Sequence, residues 1–129
     1  MNVVPDTSVV VDGRVAERVA DGRYEGVTVY VPEAVVGELE AQANAGYDPG
    51  WRGLEELQRL ADYADEGEIS VEYVGRRPNA AETEGAGEGD IDALIRDLAA
   101  EHDATLLTSD GVQAEVGRGR EDVIALELL

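Results

Sequence analysis

Cysteine, lysine and any long apolar run are absent from this 129-residue sequence. Without cysteine, disulfides, zinc–thiolate sites and thiol nucleophiles are excluded, so any bound metal ion must be held by oxygen ligands. No apolar run approaches the roughly 18 residues that a membrane helix needs, and the N-terminus lacks the layout of a signal peptide. We therefore expect a cytoplasmic protein with no membrane partner.

The lack of lysine also excludes several nucleotide- and phosphate-handling classes. A P-loop requires Gly-Lys-Ser/Thr, and folds that form an acyl phosphate use a lysine beside their aspartate. A Gly-x-Gly-x-x-Gly turn is missing after the first predicted strand, so a dinucleotide site is not expected either. An aspartyl-phosphate phosphatase would need Asp-x-Asp, but Ser8 occupies the second position.

Positive charge is scarce. There are 29 acidic residues against 10 basic ones, all of them arginine, and the net charge is -19. Such a chain repels phosphate backbones in dilute buffer, but the Debye length falls to about 3 Å at 1 M salt, where this repulsion nearly vanishes. We interpret the composition as halophilic adaptation, in preference to a surface for a basic partner. Salt bridges are preferred over phosphate contacts for five arginines: Arg14, Arg18, Arg76, Arg77 and Arg96.

Apolar runs and helical repeats alternate along the chain, and its length and composition suit one domain over residues 1–129. Strands are predicted at 2–4, 27–31, 69–74, 104–108 and 123–126. Helices are predicted from the first strand to about residue 20, and at 32–45, 51–66, 90–102 and 110–116. Residues 76–89 lack periodicity, which predicts an exposed loop.

This alternation predicts right-handed βαβ units and an α/β fold whose mostly parallel sheet is covered by helices on both faces. In such folds ligands bind at the carboxyl ends of the strands. Asp6 directly follows the first strand, and Asp110 follows the strand that ends at Thr108. Converging carboxylates there would suit Mg²⁺ or Mn²⁺, although either aspartate could instead serve as a turn residue or helix cap.

Four segments, taken in order, resemble the PIN domain superfamily over almost the whole chain. Residues 3–8, Val-Val-Pro-Asp-Thr-Ser, match its opening strand and turn, and residues 31–39, ending in Glu-Leu, resemble its second-helix motif. Residues 92–95 and 100–110 resemble toxin-type PIN ribonucleases. Residues 4–13 and 31–44 look like the N-terminal PIN domain of archaeal proteins that continue into an ATPase and a KH domain. This likeness suggests a haloarchaeal source and an N-terminal fragment of a longer, ATPase-containing chain.

The resemblance implies a three-layer α/β/α sandwich with a central five-stranded sheet. It also implies a metal-dependent endonuclease that cuts single-stranded nucleic acid, with RNA favoured, and that forms homo-oligomers. The alternative is a catalytically weak PIN module that serves oligomerisation or nucleic-acid docking for a fused ATPase. The resemblance assigns the catalytic and metal-binding roles to four acids: Asp6, Glu38, Asp92 and Asp110.

Periodicity alone does not choose between Glu38 and Glu40, or between Asp92 and Asp90; the resemblance makes both choices. Asp90 and Asp12 stay auxiliary candidates, with a surface charge or helix-start role as the alternative. Ser8 and Thr108 are auxiliary or substrate-binding candidates. Their hydroxyls could bond a metal-bound water or a phosphate, or satisfy the local backbone instead.

Overall fold

The computed structural model describes residues 2–77, 88–109 and 125–128. The described strands are β1 (Asn2–Pro5), β2 (Thr28–Pro32), β3 (Ser70–Val74), β4 (Thr105–Thr108) and β5 (Ala125–Leu128). The described helices are α1 (Thr7–Val11), α2 (Arg14–Ala20), α3 (Glu33–Asn44), α4 (Asp48–Asp65) and α5 (Glu88–Glu101). The strands form one five-stranded sheet in the order β3-β2-β1-β4-β5, and every pairing is parallel. The predicted α/β class with a parallel five-stranded sheet is confirmed.

The direction of the chain across the sheet reverses once. It steps outward from β1 to β2 and β3, then returns across these strands to β4 and β5 on the other side of β1. Because parallel crossovers are right-handed, the helices before and after this reversal cover opposite faces of the sheet. The carboxyl ends of β1 and β4 meet where the direction changes, which is the place where open α/β sheets bind their ligands.

The central strands are buried on both faces, so their sequences are continuous apolar runs without alternation. Val3 and Val4 of β1 and Leu106 and Leu107 of β4 are fully buried. In the register of these two strands Pro5 is opposite Leu107. The residues that follow, Asp6 and Thr108, therefore lie at the same edge of the sheet.

A single helix up to about Ala20 is predicted from the sequence, but the structure has two, α1 and α2. The break lies at Asp12 and Gly13. Gly13 has φ +70°, a left-handed conformation that glycine adopts without a steric penalty. The apolar periodicity continues across the break and conceals it, and the resulting turn brings Asp12 to the carboxyl edge of the sheet.

Other element boundaries differ from prediction by a few residues. Helix α4 begins at Asp48, three residues early, because Pro49 fits the first turn of a helix, where no amide hydrogen bond is lost. Helix α5 begins at Glu88, within the predicted loop. Strand β5 ends at Leu128 rather than at residue 126. The rest of that loop (78–87) and the predicted helix 110–116 lie outside the described residues.

Helices α3 and α4 pack so closely that the backbone of one contacts the backbone of the other at Gly50. A Cβ atom added to Gly50 would lie 2.4 Å from the backbone nitrogen of Ala43, so only glycine allows this approach. The contact fixes the start of α4, and with it Pro49, against the end of α3. Among the helices of the described ranges, none is long and apolar enough to cross a membrane.

Candidate active site

A cavity of about 240 Å³ opens at the carboxyl edge of the sheet, beside the ends of β1 and β4. Three of the four acids selected from the sequence line it, and the fourth, Asp110, lies outside the described residues. The lining consists of Asp6, Thr7, Ser8, Val11, Asp12, Glu38, Gln42, Pro49 and Asp92.

Asp6 is both a helix cap and a cavity residue. It is only 3% exposed, and its Oδ1 accepts hydrogen bonds from the backbone N–H of Val9 at 3.1 Å and from the Ser8 hydroxyl at 2.7 Å. Its Oδ2 accepts one from the Thr108 hydroxyl. A buried carboxylate is costly unless it is hydrogen-bonded, so these donors and the start of α1 stabilise its charge.

The hydroxyl candidates Ser8 and Thr108 both lie against Asp6, at the ends of different strands. Ser8 Oγ also accepts a hydrogen bond from the backbone N–H of Ser109 at 3.3 Å. Ser109 Oγ donates to Asp12 Oδ2 at 3.2 Å. These bonds fasten the turn after β1 to the end of β4 and hold the Asp6 carboxylate in one orientation.

The structure distinguishes Glu38 from Glu40, which periodicity does not. Glu38 lines the cavity, and its Oε2 accepts a hydrogen bond from the Thr7 hydroxyl at 2.9 Å. Glu40 instead bonds Arg77 Nη1 at 2.7 Å. The sequence pattern did not select Thr7; its position beside Asp6 in the Asp-Thr-Ser turn is the signal that would have found it.

Helix α5 brings Asp92 into the cavity. Asp90 belongs to the first turn of the same helix, but its side chain is outside what the structure describes.

The donor chemistry of the cavity fits a hard divalent cation, because it offers carboxylate and hydroxyl oxygens and no sulfur. Within the described ranges, no three Asp, Glu or His side chains lie close enough to hold one ion together. Mg²⁺ does not require such a cluster, since it keeps several waters and usually takes one or two carboxylates plus substrate phosphates.

A second buried carboxylate, that of Glu56, connects helix α4 to helix α2. Glu56 of α4 is fully buried, and its Oε2 accepts a hydrogen bond from the backbone N–H of Ala16 at 3.0 Å. It therefore caps α2, because Gly13 at the N-cap position has no side chain to do so. Burial raises the pKa of Glu56; the Ala16 N–H and Arg59, 3.5 Å away, act in the opposite direction.

Known proteins with similar sequences carry the same domain. The family model of the PIN domain matches residues 3–119. An uncharacterized KH and PIN-domain containing protein of Methanocaldococcus jannaschii is 46% identical over 118 residues, covering 92% of this chain and 18% of that protein. An uncharacterized PIN and TRAM-domain containing protein of Thermus thermophilus is 38% identical over 120 residues, covering 89% of this chain and 31% of that protein. The chain thus spans less than a third of either relative.

Solved structures agree with this assignment. A domain of a functionally unknown protein from Methanocaldococcus jannaschii superposes with a TM-score of 0.92 at 44% identity, over 99% of this chain and 90% of that one. A PilT N-terminus domain protein from Sulfolobus solfataricus gives a TM-score of 0.54 at 15% identity, over 99% and 87% of the two chains, which is a likeness of fold alone. Since the family model matches most of the sequence, this chain belongs to the PIN domain family.

Proposed function

We propose that this chain is a Mg²⁺- or Mn²⁺-dependent endonuclease that hydrolyses phosphodiester bonds of single-stranded nucleic acid, RNA in preference to DNA. One observation carries the proposal: the buried carboxylate of Asp6 shares a cavity with Glu38 and Asp92 where the sheet reverses direction. The PIN fold is a nuclease-type fold. The curated relatives are named for KH and TRAM domains beside their PIN domains, and KH domains bind RNA backbones, which supports RNA as substrate.

In this proposal Asp6, Glu38, Asp92 and Asp110 would supply the carboxylate ligands for one or two cations. Each cation needs only one or two of them, because Mg²⁺ takes its other ligands from water and substrate phosphates. When bound, a divalent cation supplies Lewis acidity toward the phosphate oxygens and an attacking water. The water oxygen would bond to phosphorus as the P–O ester bond breaks; the water gives up one proton, and the leaving oxygen takes up one, so the step balances.

The surrounding hydroxyls keep the carboxylates in place. Ser8 and Thr108 fix both oxygens of Asp6, and Thr7 fixes one oxygen of Glu38. Because these donors are already engaged before substrate arrives, the acids need little reorganisation during the reaction, which is how preorganised sites lower a barrier.

A cleavage assay tests the proposal. Labelled single-stranded RNA is incubated with the protein in molar KCl while Mn²⁺ is titrated, beside Asp6→Asn. Asparagine is as good a helix N-cap as aspartate, so this variant keeps the α1 cap. It removes the charge and turns the oxygen that accepts from Thr108 into an amide nitrogen. We expect cleavage that rises with Mn²⁺, stops with EDTA, and falls by about 100-fold or more in Asp6→Asn.

One control variant and two control substrates make the result specific. Glu40→Gln removes a carboxylate from the same helix as Glu38 but outside the cavity, and should cleave normally. Equal cleavage by wild type and Asp6→Asn would contradict the proposal. Metal-dependent RNA binding without turnover would favour the docking-module alternative. Single-stranded DNA and duplex RNA of matched sequence test the preference for single-stranded RNA.

A further inference from the structure

Within the described residues, three arginines are paired with acidic side chains and three others have no such partner. The paired ones are Arg18–Glu127 at 3.6 Å, Arg59–Glu56 at 3.5 Å and Arg77–Glu40 at 2.7 Å. The side chains of Arg14, Arg23 and Arg52 belong to exposed residues and make no ion pair or hydrogen bond within the part of the chain that the structure describes. In a chain with 29 acids, exposed arginines that pair with none of the acids in the described ranges call for an explanation.

Two of these three lie close in sequence to residues that line the candidate active site. Arg14 is the first residue of α2, two positions after the cavity-lining Asp12. Arg52 lies on α4, three positions after the cavity-lining Pro49, and residues three apart share one face of a helix.

A contact between α4 and α2 joins the segments that carry these two arginines. Glu56, one turn after Arg52, accepts its hydrogen bond from Ala16 in the first turn of α2. Its Oε1 also lies 3.8 Å from the position that a Cβ on Gly13 would take. The face of α4 that carries Arg52 therefore packs beside the residue that precedes Arg14.

We propose that Arg14 and Arg52 form a phosphate-binding rim, which holds the strand by phosphates next to the one in the cavity. The inference rests on the proposed nuclease function and names the residues that allow so acidic a chain to bind a polyanion. A guanidinium offers five donors in a geometry that fits two phosphate oxygens at once. Molar salt screens the long-range repulsion from the acids, and direct contacts to phosphate persist at short range.

The third arginine provides a matched control. Arg23 follows Gly22, which lines a different cavity at the opposite, amino edge of the sheet. Arg23→Gln removes the same charge from an exposed position as Arg14→Gln or Arg52→Gln does. Any effect of net charge alone is therefore equal in all three variants.

Binding is measured by fluorescence anisotropy of a labelled single-stranded RNA across a KCl series, with EDTA present to prevent turnover. We expect Arg14→Gln and Arg52→Gln each to raise the Kd about fivefold, with a larger effect in the double variant. Arg23→Gln should leave the Kd within about twofold. Each lost phosphate contact should also shift the slope of log affinity against log salt by about +0.7, relative to Arg23→Gln.

The outcomes separate this inference from the proposed function. If both rim variants bind like the wild type while Asp6→Asn loses cleavage, the rim is wrong and the nuclease proposal stands. Unchanged cleavage by Asp6→Asn contradicts the nuclease proposal itself. The rim proposal is wrong if Arg23→Gln weakens RNA binding as much as the two rim variants do, or if the wild type does not bind RNA. It is also wrong if the double variant loses self-association but still binds RNA normally.

Discussion

The hydroxyl group of Thr108 donates a hydrogen bond to the carboxylate of Asp6, joining the ends of two neighbouring parallel strands across 102 positions of sequence. Both side chains are buried. Removal of the hydroxyl would leave the Asp6 oxygen with one donor fewer, in a place where bulk water does not readily replace it. The orientation of this carboxylate therefore depends on strand β4 as well as on its own turn.

Thr108→Val should destabilise the fold more than Thr108→Ser. Valine keeps the shape of threonine but lacks the donor, and loss of a partner of a buried charged group costs about 1–3 kcal/mol or more. Serine keeps the hydroxyl and loses one methyl group, at about 1 kcal/mol. Urea unfolding of both variants in molar KCl measures the difference, and equal destabilisation would show that the hydrogen bond contributes nothing.

The sheet was predictable from the sequence because its central strands are short apolar runs that end at polar turns. Val3-Val4-Pro5 before Asp6 and Leu106-Leu107 before Thr108 mark two such ends, and the parallel register then places both at one edge. The choice of Glu38 over Glu40 came only from the family resemblance, because periodicity treats the two alike.

The contacts that complete the site were not predictable, since they join residues distant in sequence. Thr7 bonds Glu38 across 31 positions, and Ala16 bonds Glu56 across 40. No local pattern marks either pair, because each forms only when two helices pack. Similarly, the break at Gly13 was hidden by the apolar residues on both sides of it.

Glu56 should make stability depend on pH. Burial raises its pKa above the ordinary 4.5, so the unfolded chain loses this proton first as the pH rises. The stabilising contribution is therefore fully present below about pH 4.5 and is lost as the pH rises through the raised pKa. The free energy of unfolding of the wild type, minus that of Glu56→Gln, should fall from pH 4.5 upward; urea titrations of both proteins test this. A difference that grows with pH would mean that Arg59 and the helix cap outweigh burial.

Salt should stabilise the protein. The net charge of -19 on so small a domain destabilises the compact state by self-repulsion, and screening removes this cost as the Debye length falls from about 10 Å at 0.1 M to about 3 Å at 1 M. We expect both the melting temperature and RNA cleavage to rise between about 0.1 and 1 M KCl. A melting temperature that stays flat or falls across this range would refute the halophilic interpretation.

Asp92→Asn should abolish metal-dependent cleavage, whereas Asp90→Asn should reduce it only modestly. Asp92 lines the cavity, and one helix cannot direct both side chains into a single crevice. Cleavage rates of the two variants at saturating Mn²⁺ provide the comparison. Equal losses would overturn the assignment of Asp92 that the family resemblance supplies.

The proposed metal site is tested most directly by Mn²⁺ binding itself, without any substrate. Electron paramagnetic resonance of free Mn²⁺ gives the Kd for the wild type, Glu38→Gln and Glu40→Gln, two variants of one helix that differ in whether the lost carboxylate lines the cavity. We expect the wild type to bind Mn²⁺, Glu38→Gln to bind it about tenfold or more weakly, and Glu40→Gln to match the wild type. Equal affinity in all three proteins, or no Mn²⁺ binding by the wild type, would contradict the assignment of this cavity as a metal site.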